Sequence, residues 1–458
     1  AAKRVPAYKD FLKKQQVNPW DIKTTKDFEL IPHTDKENYI NEYPLAKRCW
    51  DGRITDSRLI AISSGTSGEP KFWPRSEYQE FEAAVIHELL YRYSFEVDKY
   101  KTLLVICFPM GVYVSGIATV LPSYLVSTKI SNLTIASTGN NKTEVLRLVK
   151  NLQEEFEQLI LVGHPFFIKD VIETGRQESI NWASRRLRLM FCSEGFNEIW
   201  RNYLLKEAGM PSNDLNAVNT YGSTELLLMA QETSLTILVR SILEKNADLK
   251  KHLGDFKLVP NLFQYNPFFR YVESVDKELL FTSASGLPLI RFNLHDAGEV
   301  ISFKDVVNHL AKVYPKWKSR LPKNTVLWQL PFVSLRGRSD YTTIFYHANI
   351  YPEHIHIALN HRPFLRKITG KFAMRTDYLK NMDEFLEINI ELRPGVKPNK
   401  KLGHLIQNQI FRRLRQINME FLDTSNKFPE KTVPHIVLCQ YQDEKYFRPG
   451  LKPKYILK

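Results

Sequence analysis

The sequence predicts an α/β protein of two domains, a large layered α/β domain followed by a small ferredoxin-like α+β domain. Three observations predict this arrangement. The chain has 458 residues, which is more than one ordinary hydrophobic core holds. Between Ile60 and Phe281, short β-rich runs alternate with helical patterns, as they do in α/β layers. After about residue 338 the pattern changes to the order βαββαβ, which is typical of a ferredoxin-like domain.

Hydrophobic spacing predicts the elements of the large domain. The continuous apolar run at 103–106 indicates a buried strand, and residues 159–162 indicate a second strand that ends at Gly163. Alternating apolar residues at 187–191 indicate a third strand. Between the first two strands, apolar residues at helical spacing predict a helix that contains Val145, Leu148, Val149, Leu152 and Phe156.

The small domain is predicted to begin near the sequence Gly-Arg-Ser-Asp at 337–340, so that the two domains comprise residues 1–337 and 338–458. Its predicted elements are a strand at 341–346, a helix beginning with proline at 352–359, strands at 372–378 and 386–392, a basic helix at 402–421 and a last strand at 436–438.

The bulk composition limits the class of protein. The net charge of +14 attracts polyanions, among them nucleotides, coenzyme A or an acidic carrier protein, although a solvated basic surface is an equally simple explanation. We find no nucleic-acid-binding motif and expect no nucleic acid partner. The four cysteines are far apart, which indicates a reducing, cytoplasmic compartment. No run of about 20 apolar residues is present, so we expect no membrane span.

One loop stands out for its chemistry. It follows an apolar run at 59–62, contains four hydroxyl side chains and two glycines, and ends in a lysine. Glycines let backbone N–H groups approach an anion, and hydroxyls and a lysine add further donors, so the loop suits a polyphosphate. The spacing differs from that of a P-loop, and an ordinary turn is the alternative. The loop comprises Ser63, Ser64, Gly65, Thr66, Ser67, Gly68, Glu69, Pro70 and Lys71.

Four further segments carry side chains suited to a nucleotide. They are 221–225 (Tyr-Gly-Ser-Thr-Glu), 288–296 (ending in aspartate), 337–340 (Gly-Arg-Ser-Asp) and 451–455 (Leu-Lys-Pro-Lys-Tyr). A tyrosine can stack on adenine, a threonine can bind phosphate and a glutamate can hold Mg²⁺. An aspartate suits a bidentate hold on ribose hydroxyls, and an arginine can reach ribose or phosphate. Each segment is weak evidence alone, but five in this order are strong.

In this order the segments resemble those of the AMP-forming adenylating enzymes, the superfamily of acyl-CoA synthetases, peptide-synthetase adenylation domains and luciferases. The resemblance is closest to the phenylacetate–CoA ligase family. It extends to segments 5–8, 31–37, 43–45, 163–165, 193–195 and 349–355. The chain departs from the family pattern at His295, and residues 232–260 and 302–328 look like insertions.

The resemblance implies an ATP-dependent ligase that uses Mg²⁺. A carboxylic acid would become an acyl-adenylate with release of pyrophosphate and then pass to a thiol, with coenzyme A as the co-substrate. The loop from Ser63 to Lys71 would hold the β- and γ-phosphates, Thr224 would contact the α-phosphate, and Glu225 would hold Mg²⁺. The remaining nucleotide contacts would come from Ser193, Glu194, Gly195, Asn219, Tyr221, Gly222 and Ser223 around adenine and from Asp296 and Arg338 at the ribose.

The resemblance also implies that the small domain is mobile, with its hinge at Asp340 and a catalytic lysine at Lys452. That lysine would bridge the carboxylate and the α-phosphate. Lys454 is the alternative, and both lysines could instead be ordinary surface residues. An aromatic or medium-sized apolar acid would lie against Phe108, Tyr113, Val114, Ser115 and Gly116, although core packing explains Phe108 equally well.

Two other functions stay open. The enzyme could load a carrier protein or form an amide with an amine, because related adenylating enzymes share the loop at 63–71. More remotely, the chain could bind nucleotides or nucleic acid without catalysis, which only the charge favours. The sequence leaves the oligomeric state open, with a dimer as one option.

Overall fold

The structure, a computed structural model of the chain, describes residues 1–63, 71–111, 114–211, 214–246, 249, 259–323, 325–338, 343–447 and 455–457. The chain divides into two compact units, a large one formed by residues 1–63 and 72–337 and a small one whose main part begins at Arg338.

The helices of the large unit are α1 (Pro6–Lys14), α2 (Thr25–Glu29), α3 (Leu45–Arg48), α4 (Glu77–Ser94), α5 (Val114–Ser127), α6 (Lys142–Leu152), α7 (Pro165–Gln177), α8 (Glu198–Glu207), α9 (Ser234–Leu243) and α10 (Phe303–Val313). None of the helices in the described part of the chain is long and apolar enough to cross a membrane.

Its strands are β1 (Leu59–Ser63), β2 (Lys71–Arg75), β3 (Thr102–Ile106), β4 (Leu133–Ser137), β5 (Gln158–Gly163), β6 (Arg186–Phe191), β7 (Ala217–Ser223), β8 (Leu227–Gln231), β9 (Asn261–Tyr265), β10 (Tyr271–Val275), β11 (Glu278–Ser283), β12 (Leu289–Ile301) and β13 (Phe332–Arg338). The three strands predicted from apolar runs are confirmed as β3, β5 and β6. The predicted helix is α6, but it ends at Leu152 and leaves Phe156 in an extended conformation.

One mixed sheet of eleven strands organises the large unit, in the order β10-β11-β12-β13-β9-β8-β7-β6-β5-β3-β4. From β4 to β7 the neighbouring strands are parallel, and β7, β8 and β9 pair antiparallel. Every position of β3 and β5 is buried, as expected for parallel strands covered on both faces. Leu104, Ile106, Ile160 and Val162 therefore belong to one hydrophobic core.

The carboxyl ends of parallel strands lie along the same edge of a sheet, and ligands of α/β proteins usually bind there. Here the segments that follow β3, β5 and β6 begin at Cys107, His164 and Cys192, and β7 itself ends at Ser223. This edge therefore collects the predicted adenine and acid segments.

The two segments that the sequence marks as insertions each contribute a helix, α9 and α10. These helices share a hydrophobic core, in which Leu235 and Leu238 of α9 belong to the same cluster as Val306 and Leu310 of α10. Trp317 closes the same cluster. The insertions are thus packed together within the large unit.

The small unit contains β14 (Thr343–Phe345), β15 (Ala348–Ile350), α11 (Pro352–Leu359), α12 (Arg362–Leu365), β16 (Ile368–Tyr378), β17 (Glu384–Leu392), α13 (Lys400–Ile417), α14 (Met419–Lys427) and β18 (His435–Cys439). The predicted basic helix is interrupted at Asn418, which has an extended backbone and caps α14 by accepting a hydrogen bond from the Phe421 N–H.

The ferredoxin-like topology predicted for this unit is wrong in its strand pairing. The first strand forms a separate hairpin with β15 instead of joining the main sheet, whose order is β16-β17-β18. Tyr346 and His347 make the hairpin turn with positive φ angles of 45° and 67°, a turn that glycine or asparagine would have signalled. The β17 and β18 strands are parallel neighbours, because the α13–α14 segment crosses over between them.

Candidate functional site

The loop at 63–71 is described only at its ends. The strands β1 and β2 pair with each other, and the loop connects them from Ser63 to Lys71. The Trp73 indole N–H donates a hydrogen bond of 3.1 Å to the Ser63 hydroxyl, which fixes that end. Ser64, Gly65, Thr66, Ser67 and Gly68 lie outside the described residues.

The predicted adenine and ribose segments meet at Tyr221 and Asp296. The Tyr221 hydroxyl, on β7, donates a hydrogen bond to the Asp296 carboxylate on β12. The Tyr221 ring is stacked against Phe263, with centroids 5.7 Å apart, and Phe281 packs edge-on at 6.0 Å. Both partners of the hydrogen bond are buried, so the tyrosine orients the carboxylate within the interior of the large unit.

A second contact joins the 193–195 segment to β7. The Asn219 side chain donates a hydrogen bond of 3.0 Å from Nδ2 to the Glu194 carbonyl oxygen. Ser193 and Gly195 on either side of Glu194 are exposed, and Ser193 has a positive φ of 81°. A Cβ on Gly195 would meet the Asn261 side-chain amide, so a larger residue at this position would require Asn261 to move.

The residue that holds Asn219 is Glu232, which is buried and was not predicted from the sequence. Glu232 Oε2 accepts a hydrogen bond of 2.7 Å from the Asn219 N–H, and Glu232 Oε1 lies 2.6 Å from both Arg201 Nη2 and Arg240 Nη1. Burial by itself raises the pKa of Glu232, but the two guanidinium groups outweigh it and hold that pKa below its usual range. No local pattern marks Glu232, which falls in a segment that looks like an insertion.

The turn after β7 carries the predicted phosphate and metal residues. Thr224 is half-buried, and the Ser223 hydroxyl accepts a hydrogen bond of 3.2 Å from the Leu226 N–H. Glu225 is buried, with its Oε1 2.8 Å from Lys36 Nζ. Burial raises the pKa of Glu225, but the charge of Lys36 and the hydrogen bonds to the carboxylate together outweigh burial, and the net shift of the pKa is downward. Lys36 was not predicted as a site residue, although it lies in one of the segments that resemble the ligase family.

Glu225 is the one acidic residue that the resemblance predicts as a metal ligand. In the described part of the chain, no group of three or more histidine, cysteine, aspartate or glutamate side chains could hold a metal ion. Mg²⁺ typically binds to one or two carboxylates together with substrate phosphates, so a single carboxylate fits it. A carboxylate has two oxygens, and Lys36 contacts one of them.

The predicted acid-binding residues lie around the start of α5. Phe108 is buried in the core cluster and meets the His164 ring edge-on at 5.1 Å. Val114 and Ser115, at the start of α5, are half-buried. A Cβ on Gly116 would lie 2.4 Å from the Pro109 carbonyl oxygen, so glycine permits the close approach of α5 to that backbone. Tyr113 lies outside the described residues.

The predicted residues of the hinge and the small domain are placed only in part. Arg338 is the last residue of β13. Asp340, Lys452 and Lys454 lie outside the described residues. The structure thus brings together the adenine, ribose and turn segments of the large unit, and their roles stay predictions.

Comparison with known proteins supports this fold. No protein-family model matches the chain, and no curated protein matches it in sequence. Among solved structures, the chain is similar to 2-hydroxyisobutyryl-CoA ligase in complex with 2-HIB-AMP and CoA in the thioesterification state, with a TM-score of 0.66 and 13% identity over 100% of this chain and 86% of that one.

The same ligase in the postadenylation state, in complex with R3-HIB-AMP, gives a TM-score of 0.54 at 14% identity, again over 100% of this chain and 86% of that one. At such low identity the likeness concerns the fold alone. The chain therefore has a mixed α/β fold similar to that of this ligase, with a large mixed sheet and a small C-terminal sheet.

Proposed function

We propose that this chain is an AMP-forming acid–thiol ligase. It uses ATP to activate a carboxylic acid as an acyl-adenylate, releases pyrophosphate, and transfers the acyl group to coenzyme A. Membership of the phenylacetate–CoA ligase family is part of the proposal and rests on the sequence segments that resemble that family. The observation that carries the proposal is the Tyr221–Asp296 hydrogen bond, because it joins two sequence segments assigned independently to adenine and ribose.

The buried part of the site supports a nucleotide in a defined orientation. Phe263 covers one face of the Tyr221 ring, so a stacked adenine would use the opposite face. Asp296, oriented by the Tyr221 hydroxyl, would bind the ribose hydroxyls. Asn219 would hold the 193–195 segment against the base through its hydrogen bond to the Glu194 carbonyl oxygen. In this orientation the phosphates would extend toward the turn that contains Thr224 and Glu225.

The first half-reaction joins two anions that repel each other. A carboxylate oxygen of the acid attacks the α-phosphorus of ATP, the bond to the bridging oxygen breaks, and pyrophosphate leaves. Catalysis of such a step depends on positioning and on charge stabilisation. Thr224 would donate to the α-phosphate, and Lys452 would bridge the carboxylate and that phosphate. Bound Mg²⁺, held by Glu225 and the phosphates, would neutralise phosphate charge.

In the second half-reaction the thiol sulfur attacks the acyl carbon, the bond to the AMP oxygen breaks, and the thiol proton is released. The structural neighbour 2-hydroxyisobutyryl-CoA ligase binds an acyl-adenylate and CoA in the thioesterification state, and its fold covers the whole of this chain. The net charge of +14 suits an acceptor that carries phosphates. Both facts support coenzyme A as the acceptor.

The experiment that tests the proposal is pyrophosphate release with ATP and Mg²⁺ across a panel of aryl, acyl and amino acids, with and without coenzyme A. We expect one class of acid to stimulate release and coenzyme A to be needed for turnover. Lys452→Ala should lower the rate by roughly 100-fold or more. Lys445→Ala is the matched control, since this lysine is exposed and lies in the same C-terminal segment.

The outcomes separate the parts of the proposal. Loss of activity in Lys454→Ala and not in Lys452→Ala would move the catalytic role to Lys454. Turnover with a carrier protein or an amine, and none with coenzyme A, would show that coenzyme A is not the acyl acceptor. No pyrophosphate release with any acid, together with no calorimetric binding of ATP, would overturn the proposal.

A further inference from the structure

Lys36 and Glu225 form an ion pair at the border between the interior and solvent. The Lys36 ammonium lies 2.8 Å from Glu225 Oε1. The glutamate side chain is 5% exposed and the lysine side chain 25% exposed, so the carboxylate is inside and the ammonium is partly open to solvent. A buried partner restricts the lysine far more than a surface partner would.

The backbone around Lys36 is fixed locally. Asp35 Oδ1 accepts hydrogen bonds of 2.8 Å from the Glu37 N–H and 2.7 Å from the Asn38 N–H. In return, Asn38 Oδ1 accepts one of 2.9 Å from the Asp35 N–H. This reciprocal cap closes a short helical turn, Lys36–Ile40, with Lys36 as its first residue.

The same segment is tied to β12, the strand that carries Asp296. The Thr34 N–H donates to the Arg291 carbonyl oxygen at 3.1 Å, and the Asn293 N–H donates to the Thr34 carbonyl oxygen at 2.7 Å. The Thr34 hydroxyl adds a hydrogen bond of 2.9 Å to the Ile290 carbonyl oxygen. Thr34 is therefore attached to β12 by three hydrogen bonds. Lys36 follows Thr34 by two residues, so its position depends on β12.

Two interactions, a hydrogen bond and an ion pair, thus connect the 221–225 segment to β12. Tyr221 reaches Asp296 directly, and Glu225 reaches Lys36, whose segment is attached to the same strand. If the Tyr221–Asp296 hydrogen bond holds the nucleoside, the Glu225–Lys36 ion pair lies on the phosphate side of the nucleotide. The reason is that Glu225 directly follows Thr224, the predicted contact of the α-phosphate.

We propose that Lys36 is a phosphate-binding residue of the nucleotide site and that Glu225 orients it. This inference rests on the proposed function. An ammonium has three donors, and Glu225 engages one of them, which leaves donors for phosphate oxygens. Lys36 also neutralises Glu225, whose buried charge would otherwise repel the nucleotide phosphates.

The test compares ATP with adenosine, which lacks phosphates, by calorimetric binding in EDTA so that no metal contributes. In the unaltered protein and in the control Lys26→Met, ATP should bind more tightly than adenosine. Lys26 is an exposed lysine on α2, ten residues away in sequence. Lys36→Met should weaken ATP binding about tenfold or more and leave adenosine binding within about twofold.

The double variant Lys36→Met/Glu225→Gln keeps the test valid if the single variant is unstable. It removes both charges, so no unpaired carboxylate remains buried. We expect its melting temperature to lie near that of the unaltered protein and its ATP affinity to stay several-fold lower, again with adenosine binding unchanged.

Two results would overturn the inference. Equal loss of ATP and adenosine binding in Lys36→Met, restored in the double variant, would show that Lys36 only supports the fold. Unchanged ATP binding in both variants would show that it does not contact phosphate. If the unaltered protein bound neither ligand, the proposed function would fail as well, and this outcome differs from the other two.

Discussion

The Tyr221 hydroxyl on β7 donates a hydrogen bond to the Asp296 carboxylate on β12, although three other strands lie between β7 and β12 in the sheet. Neighbouring strands lie about 4.8 Å apart, so in a flat sheet β7 and β12 would be roughly 19 Å from each other. The contact therefore requires this half of the sheet to curl, and its interior is filled by Phe263, Phe281 and Phe292. A curled sheet brings residues that are distant in sequence into one buried site.

We predict that Tyr221→Phe raises the KM for ATP about tenfold with a smaller change in kcat. The substitution keeps the ring and its packing on Phe263 but removes the hydrogen bond that orients Asp296, and a hydrogen bond to a charged group contributes about 1.5–3 kcal/mol. Steady-state kinetics across ATP concentrations measures the effect.

The matched control is Tyr203→Phe. The Tyr203 hydroxyl also donates to a carboxylate, Glu173, at 2.8 Å, but on α8 and outside the candidate site. Its KM for ATP should not change. Equal kinetics for the two variants would contradict a role of Tyr221 in binding ribose through Asp296.

The sequence predicts three of the parallel strands of the large unit because their signals are local. Apolar runs mark β3, β5 and β6 where the strands are buried on both faces. The small unit fails at strand pairing, which depends on a turn at Tyr346 and His347 with positive φ angles and no glycine. Local periodicity predicts the order of helices and strands, but it does not predict which strands pair in the sheet.

The residues of the candidate site also differ in whether the sequence could predict them. Tyr221 and Asp296 could be predicted because each lies in a short segment of several informative residues. Lys36 and Glu232 could not, since each is a single charged residue whose role depends on a partner brought near by the fold. Lys36 meets Glu225 across 189 positions of sequence, so no spacing rule connects them.

We predict that Glu232→Gln lowers the free energy of unfolding by about 3–5 kcal/mol. The carboxylate is fully buried between Arg201 and Arg240, and removing its charge leaves two buried guanidinium groups with reduced compensation. Urea unfolding measures the loss. Glu207→Gln is the control, because its ion pair with Arg176 is at the surface and contributes less than about 1 kcal/mol. Similar losses in both variants would mean that the buried network adds no special stability.

We predict opposite effects for two glycine-to-alanine substitutions in helices. Gly116→Ala should destabilise the fold by about 1–3 kcal/mol and raise the KM for the acid, since its Cβ would meet the Pro109 carbonyl oxygen at 2.4 Å. Gly403→Ala on α13 should stabilise by up to about 1 kcal/mol, because among the described atoms none lies within 4 Å of its Cβ. Thermal melting measures the stability of both variants, and kinetics at varied concentrations of the carboxylic acid substrate measure its KM. A stabilising Gly116→Ala would refute the close approach of α5 to Pro109.

We predict that His87 makes the protein sensitive to mild acid. Its side chain is buried in α4 with Nδ1 2.8 Å from the Ala83 carbonyl oxygen, and burial lowers its pKa to about 4. The unfolded chain has a histidine pKa of about 6.5. Between these values the unfolded state binds a proton that the folded state does not, so stability falls as the pH falls from about 6.5 toward 4.

Each pH unit within that range costs up to about 1.4 kcal/mol, so the free energy of unfolding should drop by about 2 kcal/mol between pH 6.5 and pH 5 because of His87. His87→Phe keeps an aromatic ring next to Tyr91 and should remove that part of the pH dependence. Half-buried His347, whose pKa is lowered to about 3 mainly by desolvation, adds a loss of the same sign. Some acid sensitivity should therefore remain in the variant.

Urea unfolding at pH 7 and pH 5 provides the measurement, and His404→Gln on α13 provides the control because His404 is exposed. The difference in unfolding free energy between the two pH values should shrink in His87→Phe and stay unchanged in His404→Gln. An unchanged difference in His87→Phe would mean that the buried imidazole takes up its proton without unfolding, and that Ala83 and Tyr91 leave room for a solvated imidazolium.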